Sequence, residues 1–325
     1  MHTVLRSVKL KTGETMDVVR VTCPDEEFRD RILPFLAHKG PDWEVPMREN
    51  LAAPLEGLAQ RFYLGVVGDE VVGNASHVEG LDRPVAILQH VFTRPDRRRQ
   101  GICSTVIGTL AEDFLSRGGR ASYLHTGHQS PAYYIYQSVG FVGYRDTGTM
   151  EWFPDPDFQA EYFRPRPITV RDTRWEDWPR LEALYSIEEG WFLRSIHFGQ
   201  WGRSGYEGEY ISLRKAMREG GVEQVKVMVA EGGAVVGQAY LSRDRRFLRQ
   251  TWLLDLFVHP NYYDDAHALL GALELDRGAK VQCYVDSTQP EKAALLEHRG
   301  FRLEATLPRQ VQRGDEWLDV SIYAL

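Results

Sequence analysis

The sequence predicts a mixed α/β protein built as two tandem copies of one domain, and three observations lead there. Short words recur in the same order along the 325 residues. FYLGVVGDEVVGNAS (62–76) is answered by KVMVAEGGAVVGQAY (226–240), HVFTRP (90–95) by DLFVHP (255–260), and YQSVGF (136–141) by LEHRGF (296–301). The offsets are 164 residues from Gly73 to Gly237, 165 from Pro95 to Pro260 and 160 from Gly140 to Gly300, which points to a duplication. Between the copies, WFPDPDFQAEYFRPRPITVRD (152–172) carries prolines at 154, 156, 165 and 167. Proline removes backbone donors and restricts its predecessor, so regular structure is interrupted there. The expected domains are 1–160 and 161–325.

Within each copy the expected order is helices, a hairpin, then strand, helix, strand, helix and a final strand. PDWEVPMREN (41–50) falls among the early helices. The hairpin reading rests on an apolar strand, a Gly-containing acidic turn and a VVG opening the return strand. AILQHVF (86–92) reads as an apolar strand and STVIGTLAEDFLSRGG (104–119) as a helix. Its apolar residues Val106, Ile107, Leu110, Phe114 and Leu115 keep close to a 3.6 period, and Gly118 and Gly119 supply a stop. ASYLHTG (121–127) gives the next strand, so the first copy contains a βαβ crossover.

The crossover loop is unusual in charge. RPDRRRQGICS (94–104) places Arg94, Arg97, Arg98 and Arg99 just before a helix N-terminus, in a chain whose formal net charge is −7. A helix start presents unpaired N–H groups and partial positive charge, glycine at 101 lets backbone approach a ligand, and arginines add charge-assisted hydrogen bonds to phosphate oxygens. The stretch therefore reads as a pyrophosphate cradle. A solvated arginine loop and a DNA-contacting patch are the alternatives. The acidic balance and the lack of interleaved aromatics count against nucleic acid. No GxxxxGK[ST] and no GxGxxG after a strand is present, which excludes P-loop and dinucleotide readings.

FTRPDRRRQGICS and SPAYYIYQSVGF (130–141) together resemble two motifs of the GNAT superfamily of N-acetyltransferases. Arg98, Arg99, Gln100, Gly101, Ile102 and Cys103 fall on the last six positions of the family's pyrophosphate motif, with Cys103 where Gly or Ala is usual. Tyr136, Gly140 and Phe141 fall on the family's Y-x-x-x-G-F helix ending. The resemblance covers roughly 16–153 and, more weakly, 168–325. It implies two GNAT-like acyl-CoA N-acyltransferase domains, acetyl-CoA as co-substrate, and an acyltransferase acting on a primary amine by direct attack in a ternary complex. It also implies that the backbone of Val91, Phe92 and Thr93 holds the thioester, that residues 98–103 with Ser104 hold the pyrophosphate, and that Tyr136 protonates the departing thiolate. An acyl-CoA-binding sensor without turnover is the alternative.

The second copy lacks these residues. NYYDDAHALL (261–270) has no arginine–glycine loop, Asp264 and Asp265 would repel a pyrophosphate, and Leu296 stands at the place of Tyr136. It is expected to keep the fold without the cofactor.

Removing the acceptor's proton needs a base, for which His90, His125 and His128 are candidates and Glu79 and Gln89 weaker ones. None is singled out by sequence. HTGH (125–128) without Cys or carboxylate support is weak evidence for a metal, and none is expected. The acceptor, a small molecule or a peptide amine, is not legible, although Asp42, Glu44 and Glu49 could attract a cation. Cys23, Cys103 and Cys283 lie far apart, which suits neither a disulfide framework nor a structural zinc site. MHTVLRSVKLKTGE is too charged for a secretory leader, and no apolar run approaches the ~20 residues of a membrane span. The expectation is a cytoplasmic protein, monomer or homodimer, with no nucleic-acid or membrane partner.

Overall fold

The structure is a computed structural model describing residues 1–82, 84–145, 147–248, 250–275 and 278–325. The chain divides into two compact units. One comprises Met1–Phe158 with Arg174–Glu182, the other Gln159–Thr173 with Ala183–Leu325. The boundary at 160/161 read from the sequence lies inside a short helix, Phe158–Tyr162. The four prolines of the interval all fall outside helix and strand.

The first unit runs β1 (His2–Lys9), β2 (Thr15–Thr22), α1 (Glu26–Leu36), α2 (Pro41–Ala52), β3 (Leu58–Val67), β4 (Glu70–Gly80), β5 (Val85–Thr93), α3 (Ile102–Ser116), β6 (Ala121–His125), α4 (Pro131–Ser138), β7 (Val142–Gly143) and β8 (Thr149–Trp152). Its sheet order is β1-β2-β3-β4-β5-β6-β8-β7. Every pairing is antiparallel except β5 with β6.

Strand alternation splits the core into two layers. Val18, Tyr63, Leu88 and Leu124 meet α3 and α4 residues such as Val106, Leu110 and Tyr136 on one face. Val19, Val21, Phe62 and Leu64 meet Phe28, Ile32, Met47 and Leu51 of α1 and α2 on the other.

Two details of the sequence reading are corrected. The unit opens with a hairpin, not with helices. TMDVVRVT buries Met16, Val18, Val19 and Val21 and pairs with β3. HTVLRSVK buries no residue fully, only Leu5 and Val8 packing partly against the core, and is a strand because β2 offers it an edge. Leu115 does not belong to the buried stripe of α3; it is 42% exposed, whereas Ile102, Val106, Ile107, Leu110 and Phe114 are buried.

Labels continue with α5 for the short helix Phe158–Tyr162. The second unit then runs β9 (Ile168–Asp172), α6 (Asp177–Tyr185, whose first residues cluster with the first unit), β10 (Leu193–Ser195), β11 (Gln200–Trp201), α7 (Glu207–Arg218), β12 (Val222–Ala230), β13 (Val235–Arg243), β14 (Trp252–Val258), α8 (Ala266–Gly271), β15 (Val281–Asp286), α9 (Pro290–His298), β16 (Arg302–Arg313) and β17 (Glu316–Ala324). Its sheet order is β16-β17-β15-β14-β13-β12-β9. Read from the other edge, this is the strand sequence of the first sheet without β1, again with one parallel pair, β14 with β15. In both units the last element is a hairpin rather than the single strand expected.

Among the described residues no helix is long and apolar enough to cross a membrane.

Candidate active site

The site begins where β5 and β6 part. Their parallel pairing covers only Val85–Ile87 against Ala121–Tyr123, although β5 continues to Thr93 and β6 to His125. A β-bulge turns β5 at the same point. Gly73 and Asn74 face Thr93 and Phe92, and Ser76 faces Gln89, so Ala75 opposes both His90 and Val91. His90 takes a positive φ of 53°. Buried side chains hold the distorted backbone, with Asn74 Nδ2 donating to the His90 carbonyl at 2.7 Å and Ser76 Oγ to the Gln89 carbonyl at 3.2 Å.

From Thr93 the chain makes one 3₁₀ turn at Pro95–Arg97 and enters α3 through Gly101. Gly101 has φ +88°, a conformation glycine adopts without penalty, and it offers no side-chain cap. The first-turn N–H groups of α3 are therefore open to an anion.

The four arginines divide by task. Arg94 is committed to Glu70 at 2.8 Å and to Asp96 at 2.7 Å, and Arg97 pairs with Glu14 at 2.7 Å. Arg98 and Arg99 are exposed beside the helix start, with Arg98 Nε 3.4 Å from the Thr93 carbonyl. Of the four arginines that the sequence reading gathers into a cradle, the last two stay exposed, while the first two fasten the loop.

A cavity of about 560 Å³ joins these parts. Its wall includes Val91, Phe92 and Thr93, Arg98 and Arg99, Gly101 through Ser104, and the N-terminal turn of α4. That volume lies within the usual range for ligand pockets. Three wall residues the sequence reading missed, Pro131, Ala132 and Ile135, come from α4, where Ser130 caps the helix by accepting from the Tyr133 N–H at 3.2 Å. Gln100 is half-buried and outside the wall. Tyr136 is 7% exposed and sits among core residues, edge-on to Phe141 with ring centroids 6.1 Å apart. Burial pushes the Cys103 thiol up to about 11, so it faces the cavity protonated.

The base candidates separate equally clearly. Burial, with Lys39 and His38 nearby, pushes His90 down to about 3. Glu79 is fully buried between Arg61 and Arg117, 2.8 Å from the latter. Gln89 is buried, and His128 packs edge-on against Tyr133 at 5.4 Å. His125 closes β6 with Nε2 2.6 Å from Glu182 Oε1 and Nδ1 3.3 Å from Thr149 Oγ1. Glu44, one of the acidic residues of α2, pairs with Arg48. Among the described residues no group of three or more His, Cys, Asp or Glu is placed to hold a metal.

The second unit differs at the equivalent strands. β13 and β14 pair without a register break from Gly237/Val258 to Arg243/Trp252, so no bulge forms. The segment around β10 bridges the parting strands. Asp255 of β14 accepts from the Ile196 and His197 N–H groups at 2.6 and 3.1 Å, and Asp286 of β15 accepts from the Leu193 N–H at 2.8 Å. The helix after β14, α8, has six residues against fifteen in α3.

The site thus joins a bulged strand parting from its parallel neighbour to an uncapped, glycine-entered helix with exposed arginines at its start. Residues 26–141 match the model of the acetyltransferase (GNAT) family. That match lies within the N-terminal unit.

Among solved structures it is similar to an N-acetyltransferase from Staphylococcus aureus Mu50, at 19% identity over 49% of this chain and 98% of that one, with a TM-score of 0.42. A GNAT superfamily phosphinothricin acetyltransferase from Sinorhizobium meliloti in complex with AcCoA gives 22% identity, 49% and 87% coverage, and a TM-score of 0.40. A spermidine N-acetyltransferase from Vibrio cholerae in complex with CoA and spermine gives 16%, 49%, 94% and 0.35. Among curated proteins no match was found.

Proposed function

We propose that the protein transfers acetyl from acetyl-CoA to a primary amine by direct attack in a ternary complex, using its N-terminal unit alone. The observation that carries this reading is the continuity of one cavity from the bulged end of β5 to the open N-terminus of α3. A pyrophosphate fits the cradle chemically. The α3 N–H groups, Arg98 and Arg99 supply donors and positive charge, and a Cβ at Gly101 would meet nothing within 4 Å, so the approach is open. The backbone of Val91, Phe92 and Thr93 would hold the thioester and offer a donor to the developing oxyanion. Tyr136 would protonate the departing thiolate, and binding both substrates together supplies rate through proximity.

A second reading, an acyl-CoA-binding protein without turnover, is favoured by the burial of Tyr136, which does not line the cavity. Tyr136→Phe separates the two. Loss of turnover with acetyl-CoA binding intact supports catalysis, and absence of turnover in the parent protein supports the sensor.

Calorimetric titration of acetyl-CoA into wild type and Gly101→Asp tests the cradle itself. Binding lost in the variant is the expected result. No binding by the wild type would remove the transferase reading.

A further inference from the structure

Strand β6 carries a histidine–carboxylate pair that acetyl-CoA binding does not require. Leu124 packs into the core with α3 and α4, so strand alternation turns His125 to the opposite face of the sheet. There His125 Nε2 meets Glu182 Oε1 at 2.6 Å, and Nδ1 lies 3.3 Å from Thr149 Oγ1. The Glu182 side chain is fully buried, and the segment that carries it, Arg174–Glu182, belongs to the N-terminal unit. A carboxylate only accepts, so Nε2 carries a hydrogen, and in the neutral ring Nδ1 then accepts from the Thr149 hydroxyl. The imidazole is 28% exposed. It follows the last paired residue, Tyr123, by two positions, on the strand that parts from β5.

We propose that His125, oriented by Glu182, is the general base that takes a proton from the acceptor ammonium in front of the thioester. This rests on the acetyl-transfer reading. The ammonium gives one proton to the Thr149 hydroxyl as that hydroxyl passes its own to Nδ1. Its nitrogen then bonds to the carbonyl carbon, the C–S bond breaks, and Tyr136 protonates the thiolate. The second proton of the new amide nitrogen returns to the tyrosinate, and His125 releases its proton to water. His90 cannot take this role, because a neutral imidazole held to about 3 does not retain a proton from an ammonium. Glu182 touches no reacting atom and acts as a positioning residue.

The test measures thiol release from acetyl-CoA with a polyamine, a free amino acid and a peptide bearing a free α-amine, alongside acetyl-CoA binding. His125→Ala is expected to lower kcat by about 10²–10⁴-fold. Its acetyl-CoA affinity should stay within about twofold, and added imidazole should restore part of the rate in proportion to its concentration. Glu182→Gln, which keeps the shape, should lower kcat at least about tenfold with KM little changed. Wild-type kcat in His125→Ala, or a loss that imidazole does not rescue, overturns the proposal. If His125→Ala fails to bind acetyl-CoA, His125→Gln decides, with retained kcat overturning and lost kcat at intact binding supporting it. Wild type that binds acetyl-CoA but acetylates no amine overturns base and transfer together; wild type that does not bind it overturns the cradle instead.

Discussion

Asn74 donates a 2.7 Å hydrogen bond from Nδ2 to the carbonyl of His90, three residues before the strand end at Thr93 that faces the cavity. Asn74 is 2% exposed, so this carbonyl has no water to turn to. Asn74→Leu leaves it unpaired and should cost about 1–3 kcal/mol of stability. It should also weaken acetyl-CoA binding, because the backbone at Val91–Thr93 relaxes once the bulge loses its brace. Thermal unfolding and calorimetry read the two effects separately. Lost stability with unchanged affinity would detach the bulge from the ligand.

The arginines offer a contrast within six residues. Arg98→Gln and Arg99→Gln should each weaken acetyl-CoA binding roughly tenfold, since a hydrogen bond to a charged group contributes about 1.5–3 kcal/mol and exposure reduces it. Both variants should flatten the dependence of affinity on salt. Arg94→Gln should change affinity less than about twofold, because its guanidinium already serves Glu70 and Asp96. Equal losses at all three positions would mean that the loop acts as an undivided patch of charge.

That division could not be read from the sequence, and the reason is distance along the chain. Arg97 meets Glu14 at a separation of 83 residues and His125 meets Glu182 at 57. Strand β5, the loop and α3 were legible because an apolar run, Pro95 and Gly101 punctuate them locally. The bulge was not, since QHVF continues the apolar pattern and only the pairing with Asn74 and Ser76 shows the extra residue. Strand β1 was missed for the opposite reason. Its residues bury little, and its conformation is borrowed from β2.

His90 gives the unit an acid sensitivity of known sign. Burial holds the folded imidazole neutral down to about pH 3, whereas an unfolded histidine titrates at its ordinary 6.5. Between those values the unfolded chain binds the extra proton, so stability is whole above pH 6.5 and falls as pH drops toward 3. His90→Gln should flatten the thermal midpoint between pH 6.5 and 4 relative to wild type. A variant curve parallel to wild type over that window would assign the acid sensitivity to other groups.

Acetyl-CoA should bind once per chain, although the two sheets share their strand order. Three differences in the second unit each remove a requirement. β14 has no bulge, so its strand end stays engaged with β13. Asp255 and Asp286 receive the N–H groups of residues 193, 196 and 197, which occupies the parting strands with the unit's own chain. The helix that follows is too short to focus charge on a phosphate and is preceded by Asp264 and Asp265. Arginine–glycine replacements in the 261–265 loop alone should therefore not create a second site, because the strands would remain closed. Calorimetry of wild type should give a stoichiometry near one, abolished by Gly101→Asp. A stoichiometry of two would show that a thioester can be held at an unbulged strand, and the bulge would lose its place in the account of the first unit as well.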